Sequence, residues 1–148
     1  MVWPFTKVFN HGENGTTCEP ERMVDVVRKV NGFMASATMY KGELLVSTTG
    51  SMDSDFVTLA HKHIDKLSWD NLFHNSWAEG LTYIFEICDV SDPHIVEEAE
   101  GAYLIGARKL KGGSMALEVQ LDDIAEFLGA ERPAWGQMPF AQAKLLSE

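Results

Sequence analysis

A lysine can act as an amine nucleophile where fixed neighbours and partial desolvation lower its pKa and free its lone pair. Lys29-Val30-Asn31-Gly32 offers such a place, with Met23-Val24-Asp25-Val26-Val27 before it and Phe33-Met34-Ala35-Ser36-Ala37 after it. Asn-Gly between apolar runs is a strong hairpin signal, because both residues tolerate positive φ. The expectation is a strand over 23–29, a tight turn at Asn31-Gly32 and a strand over 33–40. Taken alone, the tetrapeptide is a weak signal, and a hairpin whose lysine points to solvent is its ordinary reading. Glu86 is the second notable residue, the one charge between Leu81 and Cys88 in an otherwise apolar run. Carboxylates are seldom buried without a partner. Glu86 therefore pairs with a core Arg or Lys, marks a strand end exposed on one face, or lines a ligand cleft, accepting hydrogen bonds from a sugar hydroxyl.

The elements that must position these residues follow from periodicity. After the strand at 33–40, Lys41-Gly42-Glu43 turns the chain into a third strand, Leu44-Leu45-Val46-Ser47-Thr48. From Asp53 the period becomes helical, with Phe56, Leu59, Ala60, His63, Ile64 and Leu67 on one stripe. Ser68 is placed to cap a second helix that buries Trp69, Leu72, Phe73 and Trp77 and stops at Gly80. Leu81 to Cys88 is apolar on both faces, as a central strand should be. Strands are expected at Ala102–Leu110 and Met115–Val119, a helix through Leu121, Ile124, Ala125 and Leu128 stopped by Gly129, and a further helix after Pro139. This order predicts an α+β fold on mostly antiparallel sheet with flanking helices, as one domain over residues 1–148.

Composition narrows the function classes. The chain has 148 residues, 45% hydrophobic and 23% charged, and a net charge of −10. That charge gives no general attraction to nucleic acid, so any such partner must be recognised through a local site. The opening Met1-Val2-Trp3-Pro4-Phe5 lacks a basic segment followed by an apolar one, and no apolar stretch is of membrane-spanning length; a cytoplasmic protein is the expectation. Cys18 and Cys88 read as reduced thiols without metal spacing. His61 and His63 point apart on a helix, so His63 reads as a satisfied core histidine. No phosphate-loop spacing ends in Lys-Ser/Thr.

Four segments, in order, resemble the ATP-dependent RNA ligases typified by the T-even phage enzyme and the related fungal tRNA ligases. Pro4-Phe5-Thr6-Lys7-Val8-Phe9-Asn10-His11-Gly12-Glu13 resembles the family's upstream Lys-Phe-Phe-Asn segment. Lys29-Val30-Asn31-Gly32 matches its Lys-x-Asp/Asn-Gly motif, with asparagine as in the fungal variant. Leu44 to Ser51 resembles the strand and Gly-Ser turn, and Tyr83-Ile84-Phe85-Glu86-Ile87 the later Phe-Glu motif. Trp3 stands where the family has an arginine, and Ser47 and Thr49 replace basic residues.

The resemblance implies a nucleotidyltransferase (ATP-grasp-like ligase) domain, covered in its N-terminal part. It further implies that Lys29 is the catalytic nucleophile toward ATP and that Lys7, Asn31, Gly32 and Glu86 bind the nucleotide. ATP and Mg2+ or Mn2+ would be the cofactors and RNA ends the substrate, with a second polypeptide or a later segment completing the site. Two other readings stand beside it: a relative that keeps an adenosine pocket without chemistry, and an α+β interaction domain.

Overall fold

The tight hairpin forms at Lys41-Gly42. These residues have φ of 50° and 79° and join paired Tyr40 and Glu43. Positive φ at both central positions is the type I′ geometry that matches strand twist. Neither Asn31 nor Gly32 has positive φ. The expected hairpin across them does not form, because the strand before them pairs with the end of the chain.

The protein is described by a computed structural model at residue 5 and over 11–48, 55–73, 80–94 and 96–147. It divides into two compact units, Met1–Phe5 with Val30–Pro133 and Thr6–Lys29 with Ala134–Glu148. The first holds strands β2 (Phe33–Tyr40), β3 (Glu43–Thr48), β4 (Leu81–Cys88) and β5 (Gly101–Lys109) and helices α1 (Asp55–Ile64), α2 (Trp69–Phe73) and α3 (Glu118–Leu128). The second holds β1 (Met23–Val27), β6 (Trp135–Pro139), α4 (Phe140–Ser147) and a short 3-10 turn, Glu13–Gly15. Among the described residues, no helix is long and apolar enough to cross a membrane.

In the first unit the sheet order is β3-β2-β4-β5, antiparallel throughout, with β4 interior as its two-sided apolar run predicts. Alternation along β4 sends Tyr83, Phe85 and Ile87 into the core beneath the helices. α3 contributes Leu121, Ile124, Ala125 and Leu128 at helical spacing, and α1 contributes Ala60 and Ile64. Each buried leucine or isoleucine of this set stabilises the fold by about 1.5–3 kcal/mol. Trp69 sets its ring edge-on to Tyr83 at 5.4 Å and donates its indole N–H to the Ile64 carbonyl at 2.9 Å. Gly129, at φ 75°, ends α3 by donating its N–H to the Ala125 carbonyl, as expected. At the other end, the Gln120 side chain reaches back to the Leu117 N–H at 2.8 Å.

Two expectations shift. Met115 makes only an isolated bridge to Arg108, and Val119 lies inside α3, so Met115–Val119 is not a strand. In α1 Val57 is buried and Phe56 is exposed. The expected continuation of the second helix to Trp77 lies outside the described residues.

In the second unit β1 runs antiparallel to β6, from Met23 opposite Pro139 to Val27 opposite Trp135. Gln137 donates to Asp25 at 3.0 Å and Phe140 N–H donates to the Arg22 carbonyl at 2.8 Å. β6 was not expected: Trp-Gly-Gln-Met-Pro holds no β-branched residue and ends in proline.

Candidate functional site

Ile84, Glu86 and Cys88 point to the sheet face opposite the helices. This face is unlike the core. It carries the buried hydroxyls of Ser36, Thr38 and Thr82, the last two sharing a hydrogen bond of 3.0 Å. Phe5 lies close over Gly106, where a Cβ would come within 2.6 Å of the ring. Glu86, half-buried, stands opposite Met34 on β2 and Tyr103 on β5.

The Asn31-Gly32 segment is bound to this part of the sheet at several points. Gly32 donates its N–H to Glu86 Oε1 at 3.1 Å. Cys88 Sγ lies 3.7 Å from the Asn31 carbonyl, and Asn31 Nδ2 donates to Glu98 Oε1 at 3.3 Å. A Cβ on Gly32 would sit 2.1 Å from the Ile87 carbonyl oxygen. Only glycine lets the segment approach β4 this closely. The structure therefore brings Asn31, Gly32 and Glu86 together across 54 positions of sequence. Lys29, exposed, ends the Thr6–Lys29 segment of the second unit, and Val30 begins the Val30–Pro133 segment of the first. Lys7 lies outside the described residues. Glu98 and Cys88 were not singled out from sequence. Glu98 stands in an acidic stretch with Glu97 and Glu100 that reads as solvated charge, so no local signal marks it.

A second polar cluster joins α1 to the segment between β4 and β5. Asp89 Oδ2 accepts from Lys62 Nζ at 2.8 Å and pairs with His63 Nε2 at 2.7 Å. Its other oxygen accepts from Ser91 N–H at 2.9 Å and Ser91 Oγ at 2.6 Å. The Lys62 ammonium, then Ser91 and His63, hold the Asp89 carboxyl well below the usual carboxylate range. Lys62 is raised in turn, by Asp89 first and by Glu100, 3.3 Å away, second. His63, Asp89 and Glu100 place ligand atoms within 4.8 Å of one another, the grouping among the described residues with metal-ligand chemistry. It does not suit Mg2+, which wants oxygen ligands and retained water, because the Asp89 oxygens are already taken by N–H and O–H donors. His63 is the satisfied core histidine its position on the helical stripe predicts.

A cavity of about 950 Å³ in the first unit is not lined by Glu86. Leu81, Ala107, Met115, Leu117, Ile124 and Phe127 line it. Lys109, Asp123 and Glu126 also border it, but none of the residues that carry the family motifs does, so the candidate site is the Glu86 face.

The first unit is thus an antiparallel sheet covered by helices on one face, with Asn31-Gly32 bonded to the Glu86 carboxylate of an interior strand. Two solved structures are similar in fold: an archaeal ATP-dependent RNA ligase (TM-score 0.65, 17% identity) and a putative ATP-dependent DNA ligase from Aquifex aeolicus (TM-score 0.64, 15% identity). The matches cover 84% and 86% of this chain but 34% and 36% of those proteins, so the chain spans about a third of their length. At such identities the likeness shows the fold. No curated protein matches the chain. A family model described as RNA ligase matches residues 1–137, and the chain belongs to that RNA ligase family.

Proposed function

We propose that this chain contributes the nucleotide-transfer part of an ATP-dependent RNA ligase, residues 1–148 forming part of a single adenylyltransferase domain. Lys29 is the nucleophile: its amine attacks the α-phosphorus of ATP, an N–P bond forms, the bond to the bridging oxygen of pyrophosphate breaks and the amine loses a proton. The resulting lysyl-AMP passes to a 5′-phosphorylated RNA end, and a 3′-hydroxyl then displaces AMP to join the strands. A divalent ion, Mg2+ or Mn2+, would supply charge neutralisation on the phosphates.

The observation that carries this reading is the hydrogen bond between Gly32 and Glu86, which joins the two family motifs in space. A carboxylate offers about four lone-pair positions, so Glu86 can hold the Gly32 N–H and still accept from a ribose hydroxyl. Asn31 and Gly32 complete the nucleotide contacts and Lys7 adds positive charge.

Incubation with ATP and Mg2+ or Mn2+, followed by intact-mass analysis, tests the proposal. An AMP adduct on the wild type that is absent from Lys29→Ala supports it. ATP binding without any adduct points to a non-catalytic adenosine-binding module, and no binding removes the nucleotide reading.

A further inference from the structure

The segment between β4 and β5 is secured at both ends. Asp89, which also accepts from Ser91, holds its start through Lys62 and His63 of α1, and Lys62 also reaches Glu100 near its end. Tyr103 of β5 donates its hydroxyl to the Ala99 carbonyl at 2.9 Å. Glu98 therefore stands one residue before an anchored position and reaches Asn31 at 3.3 Å across 67 positions of sequence.

An ionised carboxylate only accepts hydrogen bonds. Asn31 must then turn its amino end toward Glu98, which directs its carbonyl oxygen the other way. The backbone on either side is already held, through the Asn31 carbonyl at Cys88 and the Gly32 N–H at Glu86. The amide of Asn31 is the remaining rotor of this segment, and Glu98 sets its direction.

We propose that Glu98 is a positioning residue for nucleotide recognition: it fixes the Asn31 amide so that an acceptor oxygen, not an amino group, meets a hydroxyl or amine donor of the nucleoside. This rests on reading the Glu86 face as the nucleotide site. It also accounts for asparagine at a position where the family uses aspartate or asparagine. An aspartate at 31 would set a second carboxylate against Glu98, and like charges at hydrogen-bond range disfavour each other's ionised form.

The test is the rate of AMP adduct formation against ATP concentration in four variants of the full chain, with thermal midpoints measured alongside. Glu98→Ala frees the rotor, and the apparent KM for ATP rises about tenfold, the equivalent of one hydrogen bond to the ligand, with the maximal rate within about twofold of wild type. Glu98→Gln keeps an acceptor for Asn31 Nδ2 but can also donate to a flipped amide, so its KM falls between those of wild type and Glu98→Ala. Asn31→Asp alone loses at least about tenfold, and the double variant N31D/E98Q recovers most of it, because the introduced amide donates to the introduced carboxylate. A purely structural contact would shift the midpoints and leave KM unmoved. An unchanged KM in Glu98→Ala, or no recovery in N31D/E98Q, overturns the role of Glu98 while wild-type adduct formation keeps the ligase reading. Absence of any adduct on the wild type overturns both.

Discussion

Replacing Gly32 by alanine tests whether this glycine serves strand packing as such. The added methyl would sit 2.1 Å from the Ile87 carbonyl oxygen, 2.8 Å from its carbon and 3.0 Å from Cys88 Sγ. Two of these three atoms are backbone of β4, so no side-chain rotation relieves the clash. The start of β2 would have to move away by about 1 Å to reach ordinary van der Waals separation. That movement pulls Phe33 from its pairing with Ile87 and stretches the Gly32 N–H bond to Glu86. Overpacking costs about 1–3 kcal/mol and loss of a hydrogen bond to a charged group about 1.5–3 kcal/mol, for a combined ~3–5 kcal/mol. In a chain of this size that lowers the thermal midpoint by about 10 °C. Gly136→Ala is the control: a Cβ there meets nothing within 4 Å and the backbone does not need positive φ. Its midpoint should equal wild type or exceed it slightly, since alanine restricts the unfolded chain. Thermal unfolding of the three proteins without any nucleotide decides the matter. A Gly32→Ala midpoint within about 2 °C of wild type would refute the packing argument and return the glycine to a purely ligand-facing role.

Other perturbations separate stability from chemistry. Asp89→Ala removes the acceptor of Lys62, His63 and Ser91 and should destabilise the fold by about 2–4 kcal/mol, measured by urea unfolding. Because Asp89 titrates lower when folded than its unfolded value of about 3.9, its stabilisation is complete above that pH and declines as pH falls below it toward the folded value. Asp89→Asn should therefore flatten the acid side of the stability profile while leaving its alkaline side unchanged in shape. Leu121→Ala, at a fully enclosed site between α3 and the sheet, should cost about 2–5 kcal/mol, measured by urea unfolding. Glu86→Gln retains an acceptor for Gly32 but loses the negative charge, so a fall in ATP affinity larger than the fall in midpoint separates ligand contact from structural support.

What could be read from sequence follows the range of the interactions involved. β4 is legible because both faces of Leu81–Cys88 are apolar, and α3 because Leu121, Ile124, Ala125 and Leu128 repeat at helical spacing and meet Gly129. These signals are written in adjacent residues. β6 carries no such signal, since Trp135–Pro139 becomes a strand only by pairing with β1 more than a hundred positions away. The same pairing explains the failed hairpin at Asn31-Gly32. Local turn chemistry favours a reversal there, but β1 is taken by β6 and β2 lies between β3 and β4, so the chain passes from one sheet to the other. The dipeptide's small residues serve a different end: Gly32 permits contact with Ile87, and Asn31 reaches Glu98. Each side of the crossing is tied within its own unit: Val27 pairs with Trp135 in β1, and Asn31-Gly32 is bonded to Glu86, Cys88 and Glu98, so the dipeptide that reads locally as a turn is used as an anchored entry to β2.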